Sequence, residues 1–291
     1  MTKYTLPALL VVFCVGLVWL AAGNHMNLYW QSVMMFMGIN IILSASLNLV
    51  NGNMGEFSCG HAGFMAVGAY VSSVLTVMFF TKDKIFGGPF LSPDLALLGF
   101  PVALLAGGVA AAAAGLLVAI PSFRTRGDYL AIITIAASYI IKSTIENMGI
   151  IGGARGFMGM GKVTKAMTAT LDLPWMMIFV ILGTLLTIFV IHRFISSTYG
   201  KGINAIAQDE IAAEIMSVNT DKMKIVAFML SSGLAGLAGG LFAHVLGYVN
   251  PGSFTLMKST ECMVMVYLGG MGSLSGAVMS AVVFTLMLEA L

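Results

Sequence analysis

The sequence predicts an all-α polytopic integral membrane protein with about eight transmembrane helices, some of them broken by glycine-rich segments. Hydrophobic residues make up 59% of the 291 residues and charged residues only 9%, whereas an average soluble domain has about 25% charged residues. Apolar runs of about twenty residues, long enough to cross a bilayer, recur along the whole chain. These observations exclude a soluble fold, and the net charge of +2 gives no indication of a nucleic-acid partner.

The predicted spans are apolar runs joined mostly by short polar loops, and together they form one transmembrane domain over residues 1–291. The first run follows Lys3 and could pass for a signal peptide, but it lacks a convincing cleavage site, so we interpret it as a retained anchor. The approximate bounds of the runs are Tyr4–Ala22, Leu28–Val50, Phe57–Phe80, Leu95–Ile120, Tyr129–Met148, Leu173–Phe194, Met223–Tyr248 and Cys262–Leu291.

The basic residues of the loops predict the orientation of the chain. With a cytoplasmic N-terminus, seven basic residues lie inside and six outside. Three of the four arginines are then inside, which favours this orientation. In this orientation the long polar loop Ile195–Lys222 lies in the cytoplasm, and the other long loop, Gly149–Asp172, lies outside.

The segment Lys201–Asn219 of the inner loop is charged and amphipathic. Asp209, Glu210 and Glu214 are three of the twelve acidic residues of the chain. A charged helix between two spans must lie in water or at the interface, so the segment is a candidate docking surface for a soluble partner. The alternative is an ordinary interfacial loop helix. The apolar residues that recur near helical spacing and predict one apolar face are Ile203, Ile206, Ala207, Ile211, Ala213 and Met216.

Glycines cluster with polar residues in two stretches, Asn51–Gly63 and Tyr267–Gly276. A glycine costs up to about 1 kcal/mol in a helix interior, so several together predict a break. Paired glycine-interrupted segments point to a transport pathway, because backbone freed at membrane depth must be buried or line a wet cavity. The alternative is close helix packing through small residues, which is our interpretation of Gly236–Gly240.

Within the two breaks, an ionisable group at membrane depth is a functional candidate by default. For Glu56 and His61 the alternatives are a helix cap or a position at the interface, and for Ser58 we favour a bond to freed backbone. Leucine at Gly60 or Gly63 is expected to impair transport more than leucine at Gly107, which lies in a plain apolar run. The pathway or gate candidates are Glu56, Ser58, Gly60, His61, Gly63, Gly269, Gly270 and Gly272.

The outer loop contains Arg155 between glycines, in the string Gly152–Gly156. Glycines around one fixed cation suit an anion-receptive turn, or a dock for an acidic face of a binding protein. The alternative is a flexible loop with a solvated arginine.

Residue sets that would indicate catalysis are missing from the sequence. Cys14, Cys59 and Cys262 are far apart, in apolar surroundings and without ligand spacing, so no metal site is expected. No Gly-x-x-x-x-Gly-Lys-Ser/Thr loop is present. A Ser/His, paired-Asp or metal-ligand set at matched spacing is also missing. We therefore expect no enzyme activity and no bound cofactor.

Five strings, taken in their order and spacing, carry a family resemblance that runs from about residue 28 to the end. They are Leu47–Tyr70, Gly127–Thr134, Gly152–Gly156, Gly202–Phe228 and Leu268–Gly276. The chain resembles the membrane subunits of ATP-driven importers for branched-chain amino acids, and most closely the M-type permease of the leucine/isoleucine/valine system.

The resemblance implies a permease domain that carries branched-chain or other small hydrophobic amino acids inward across a prokaryotic plasma membrane. The implied partners are a second, related permease, two ATP-binding subunits that hold ATP and Mg, and an extracytoplasmic binding protein. The alternatives are a related ABC permease for urea, amides or sugars, or an ion-coupled secondary carrier. The carrier would need coupling acids in the membrane, and the acids here are only scattered.

The resemblance also makes the loop at about 195–222 a coupling-helix loop. The family carries there a Glu-Ala-Ala-type motif that seats in a cleft of the ATP-binding subunit, so Ala213→Trp is expected to block seating. The family usually has glycine in place of Ser217, and it normally continues beyond Leu291. The residues of the expected coupling site are Asp209, Glu210, Ala212, Ala213, Glu214 and Ser217.

Overall fold

The computed structural model describes residues 26–81, 87–88, 90–92, 95–123, 129–170 and 173–290, together with residues 16, 18, 21 and 23. These ranges are helical apart from short loops and one antiparallel pair of two-residue strands, β1 (Phe157–Met158) and β2 (Tyr248–Val249). The helices are α1 (Leu28–Asn48), α2 (His61–Phe80), α3 (Ala96–Ser122), α4 (Tyr129–Asn147), α5 (Met160–Thr170), α6 (Trp175–Ser196), α7 (Thr198–Gln208), α8 (Glu210–Ile215), α9 (Thr220–Leu246), α10 (Leu256–Gly269) and α11 (Leu274–Ala290).

The predicted all-α polytopic fold is confirmed. Within the described ranges, six helices are long and apolar enough to cross a membrane: α1 with its π-helical continuation to Asn53, α2, α3, α4, α6 and α9. They coincide with six of the predicted runs, and α11 is a shorter apolar helix. The first predicted run, Tyr4–Ala22, lies almost wholly outside the described residues.

The last predicted run, Cys262–Leu291, is not one continuous span. α10 and α11 form an antiparallel hairpin, because Gly269 touches Gly276 and the Ser280 hydroxyl donates to the carbonyl of Met265. The predicted glycine break is therefore confirmed as a reversal of the chain direction.

Glycines allow α2, α3 and α9 to approach closely at the centre of the molecule. A Cβ added at Gly68 of α2 would lie 2.1 Å from the carbonyl oxygen of Gly236 in α9, and one at Gly239 would lie 2.0 Å from that of Met65. This confirms the packing interpretation of Gly236–Gly240. The premise that Gly107 lies in a plain apolar run was wrong, because a Cβ there would lie 2.7 Å from the carbonyl oxygen of Gly68.

The helices divide into central and peripheral ones by burial. In the most apolar window, 72% of the residues of α1 and 67% of those of α2 and α9 are buried, against 39% for α3, 33% for α6 and 22% for α4. The peripheral helices expose apolar side chains, as lipid-facing helices do. α7 and α8 lie at one end of α6, and α5 with the strand pair lies near the other, so the molecule has an α7–α8 end and a strand end.

Candidate functional site

The charged segment Lys201–Asn219 is two short helices and not one. α7 ends at Gln208, Asp209 is extended (φ −158°, ψ 108°), and α8 begins at Glu210. The Asp209 carboxylate accepts a hydrogen bond from the Ala212 backbone N–H at 3.0 Å, which is the standard N-cap interaction of an aspartate. Asp209 therefore has a local structural role at the start of α8.

The restart of the helix changes which side chains face outward. The predicted single apolar face was wrong, because Ile203, Ile206 and Ala213 are buried in the chain, whereas Ile211 and Met216 are 69% and 78% exposed. Ala213 therefore points toward its own chain, and the premise that Ala213→Trp acts on a partner-facing surface was wrong. We call the exposed apolar patch of this region the α8 patch; it consists of Ile211, Ile215 and Met216.

α8 ends in a Schellman motif, in which Ser217 N–H bonds to the Glu214 carbonyl and Val218 N–H to that of Ala213. Ser217 has φ +62° and is the one non-glycine residue with positive φ in the described ranges. Glycine adopts this conformation without strain. The Glu214 carboxylate accepts from the Thr220 hydroxyl at 3.1 Å, so it also helps to hold the link to α9.

Lys224, in the second turn of α9, brings together two residues that the sequence had placed in separate candidate sites. Its Nζ lies 2.7 Å from Glu56 Oε1 in the first glycine break and 2.8 Å from Glu210 Oε1 at the start of α8. The side chain of Lys224 is 7% exposed and its Nζ is 5.9 Å from the centre of the Phe123 ring. A buried ammonium group requires such partners, because an unpaired charge is very costly away from water.

A polar cavity of about 300 Å³ lies beside this ion pair, between the first glycine break and α7. Glu56 is 24% and Glu210 47% exposed, so both carboxylates retain some contact with water. The residues that line the cavity are Met54, Gly55, Glu56, Phe57, Leu130, Ile206, Ala207, Glu210 and Lys224.

The two glycine breaks pack against each other through Gly52 and Gly272, and Asn48, at the end of α1 just before the first break, bonds to the second. Its side-chain amide donates to the Ser273 carbonyl at 3.0 Å and accepts from the Gly272 N–H at 3.0 Å. A Cβ at Gly52 would lie 2.2 Å from the Gly272 nitrogen. Gly270 and Gly272 have φ values of +88° and +78°, which glycine adopts readily. One side chain of α1 thus bonds to two backbone groups of the hairpin turn.

Asn48 belongs to a polar stripe on α1 that sequence analysis missed. Asn40 donates to the Thr285 hydroxyl at 3.0 Å, and Ser44 donates to the Ala277 carbonyl at 3.2 Å, both on α11. Polar residues at four-residue spacing in an apolar run lie on one helix face, and this pattern was a signal that could have identified the stripe.

The other pathway candidates of the first break are buried within the chain. The Ser58 backbone N–H donates to the Asn51 side chain at 3.1 Å, and His61 Nε2 lies 2.8 Å from the Ser46 hydroxyl. The role expected of the Ser58 side chain, a bond to freed backbone, stays a prediction. Gly60 and Gly63 contact α4, where an added Cβ would lie 2.6 Å from the Thr134 carbonyl and 2.8 Å from Ser138 Cβ, respectively. In the second break, Gly269 is half-buried, whereas Gly270 and Gly272 are exposed.

At the strand end, the string Gly152–Gly156 forms a tight turn against β2. Gly152, Gly153 and Gly156 all have positive φ, and a Cβ at Gly156 would lie 2.4 Å from the Val249 carbonyl oxygen. The Arg155 side chain is exposed, and so are Lys162 and Lys165 on α5. None of these three cations forms an ion pair within the described part of the chain.

Among the described residues, no group of three or more histidine, cysteine, aspartate or glutamate side chains is arranged to hold a metal ion. Cys59 and Cys262 are buried free thiols.

The sequence is similar to known transport permeases over most of its length. A family model described as the branched-chain amino acid transport system permease component matches residues 29–291. The high-affinity branched-chain amino acid transport system permease protein LivM of Escherichia coli (strain K12) is 34% identical over 275 residues, which cover 86% of this chain and 61% of that protein. The probable branched-chain amino acid transport permease protein LivM of Methanocaldococcus jannaschii is 22% identical, over 87% of this chain and 79% of that protein.

A second type of permease is more distantly similar. The high-affinity branched-chain amino acid transport system permease protein LivH of Salmonella typhimurium is 24% identical over 156 residues, which cover 54% of this chain and 47% of that protein. The chain spans 61% of the length of the LivM proteins of Escherichia coli and Salmonella typhimurium. No solved structure matches it. The resemblance to M-type permeases that the motifs indicated is confirmed.

Proposed function

The chain belongs to the family of branched-chain amino acid transport permease components, and we propose that it is the translocation subunit of an ABC importer. Its substrates would be branched-chain or other small hydrophobic amino acids, carried inward with energy from ATP hydrolysis on partner subunits. The observation that carries the proposal is the family match over residues 29–291. The protein would lie in a prokaryotic plasma membrane, which is the inner membrane in a Gram-negative cell, with its N-terminus in the cytoplasm.

We assign the docking of an ATP-binding subunit to the α7–α8 end. The α8 patch exposes apolar side chains beside two carboxylates, Glu210 and Glu214. An exposed apolar patch with a polar rim is typical of a protein interaction surface. Ala213 and Asp209 contribute by shaping α8, since one is buried beneath it and the other caps it.

The substrate pathway would lie between this chain and a second, related permease. Backbone at membrane depth must be buried in protein or line a wet cavity, and the turn Gly270–Ser273 is largely exposed on this chain. Apolar residues of α10 are exposed on the same hairpin, among them Val264 and Leu268. The similarity to LivH supports a partner permease of related fold.

At the strand end, Arg155 with Lys162 and Lys165 would dock an acidic face of an extracytoplasmic binding protein. All three side chains are exposed, and the described structure gives them no carboxylate partner. Complementary charge at such a surface raises the association rate and fixes the orientation of the partner.

Reconstitution with the partner subunits tests the function. The purified complex in proteoliposomes, supplied with binding protein outside and ATP inside, should accumulate labelled leucine. A complex with hydrolysis-deficient ATP-binding subunits should not. Leucine uptake by this chain alone, driven by a proton or sodium gradient, would instead support a secondary carrier. ATP-dependent uptake of urea, an amide or a sugar without leucine uptake would support the related permeases.

A further inference from the structure

Lys224 contacts Glu210 of α8, the helix to which we assign the docking of a partner, and Glu56 of the first glycine break, which precedes α2. We propose that Lys224 is a positioning residue that transmits movement of α8 to the first glycine break through its paired bonds to Glu210 and Glu56. This inference rests on the proposed function, because it concerns how ATP hydrolysis on a partner reaches the membrane part of this chain.

The geometry supports a mechanical link through this side chain. One ammonium nitrogen contacts both carboxylates, at 2.7 and 2.8 Å, so neither carboxylate can move away alone without losing a charge-assisted hydrogen bond. The side chain of Lys224 is almost fully buried. Breaking a buried pair leaves an uncompensated charge, which is strongly destabilising, so displacement of one partner is resisted.

The link ends at Glu56, close to the contact between the first and second glycine breaks. Glu56 follows Gly52 closely in sequence, and Gly52 packs directly on the Gly272 backbone. The cavity of about 300 Å³ lies beside the link. Gly55 of the first break packs against α7 there, because a Cβ added at Gly55 would lie 3.3 Å from Ala207 Cβ. A displacement of Glu210 would therefore be passed through Lys224 to the contact between the two breaks.

A lysine that only stabilised the fold would make the same contacts. The amount of leucine transported per ATP hydrolysed distinguishes this structural role from a role in coupling. In the full complex, Lys224→Met should retain the ATP-binding subunits and their ATP hydrolysis. Leucine transported per ATP hydrolysed should fall by about tenfold, a size typical of coupling between sites. Lys222→Met is the matched control, because Lys222 is two residues away and exposed; its ratio should equal that of the unmodified complex.

Lys224→Met leaves the partly buried Glu56 without its partner and can therefore impair assembly. The double variant Lys224→Met with Glu56→Gln removes that charge, while Glu210 remains half exposed to water. We expect the double variant to assemble normally and to remain uncoupled.

Two outcomes would overturn the proposal. One is an unchanged ratio of uptake to hydrolysis in either variant, and the other is failure of both variants to assemble, which would assign Lys224 a purely structural role. Both differ from failure of the proposed function, in which the unmodified complex itself shows no ATP-dependent leucine uptake.

Discussion

Asn48→Leu tests the contact between the end of α1 and the second glycine break. Leucine has the same branching at Cγ as asparagine but can neither donate nor accept a hydrogen bond. The change removes both bonds to the hairpin turn, those with the Gly272 N–H and the Ser273 carbonyl. Asn40→Leu is the matched control, because Asn40 is on the same face of α1 and contacts α11 through one bond.

The loss in free energy of unfolding for each change depends on which hydrogen bonds are removed and which groups keep another partner. An interhelical hydrogen bond in a membrane protein contributes about 0.6 kcal/mol on average, and an orphaned buried donor costs about 1–3 kcal/mol. The Ser273 carbonyl keeps a bond from the Ala277 N–H at 3.0 Å, whereas the Gly272 N–H loses its partner. Because Gly272 is exposed, its N–H can bond water instead and the burial penalty does not apply. Asn48→Leu should therefore cost about 1.2 kcal/mol for the two interhelical bonds that it removes.

The control should cost less for a reason that is visible in the structure. The Thr285 hydroxyl still donates to the Ala281 carbonyl at 2.7 Å after Asn40 is replaced. Only one interhelical bond is lost and no backbone group is orphaned. Asn40→Leu should therefore cost about 0.6 kcal/mol.

The free energy of unfolding can be measured by titrating sodium dodecyl sulfate into mixed micelles. Thiol labelling of Cys59 and Cys262, which are buried, reports unfolding when Cys14 is replaced by alanine in every variant. Equal destabilisation by the two asparagine changes, or a larger effect of Asn40→Leu, would refute the reasoning about the turn.

Four further predictions concern the other parts of the site. Glu56→Gln should retain most leucine uptake, because an amide oxygen still accepts from the lysine; complete loss with intact ATPase binding would indicate a charged substrate or ion coupling. Ile215→Arg should insert normally but reduce co-purification of the ATP-binding subunits strongly, and unchanged co-purification would count against the α8 patch. Ser217→Gly should raise the free energy of unfolding by up to about 1 kcal/mol, because it relieves a left-handed residue; destabilisation would contradict this. Gly60→Leu should reduce the yield of folded protein, whereas Gly161→Leu, which has open space at Cβ, should not; equal yields would show that the contact with α4 tolerates a side chain.

The fold class and most spans could be predicted because they depend on local composition and length. An apolar run as long as α3 is long enough to cross the hydrocarbon core of a bilayer as a helix, so its length and composition predict a span. The run from Cys262 to Leu291 was misjudged because an apolar stretch has the same composition whether it continues or reverses. The local glycine cluster marked a break there, but no local pattern of that run contains the distant Asn48 whose bonds also hold the turn.

The candidate site was predictable in parts but not in its connections. The acids of the charged segment and the glycine break at Glu56 stand out in the sequence. Their contact through Lys224 joins residues far apart along the chain, so periodicity carries no information about it. The restart of the helix at Asp209 could have been predicted, because an aspartate before a helical stretch is a preferred N-cap. Without that restart, Ala213 was placed on the wrong face.

The helical hairpin constrains the order in which the protein can be assembled during synthesis. α10 has 14 residues, or about 21 Å at the rise of an α-helix, against a hydrocarbon thickness of about 30 Å. A helix this short is not expected to halt translocation as a single span, so α10 and α11 are expected to enter the bilayer together. The turn bonds to Asn48, made more than two hundred residues earlier, so the polar face of α1 stays without these partners until α10 and α11 have been synthesised.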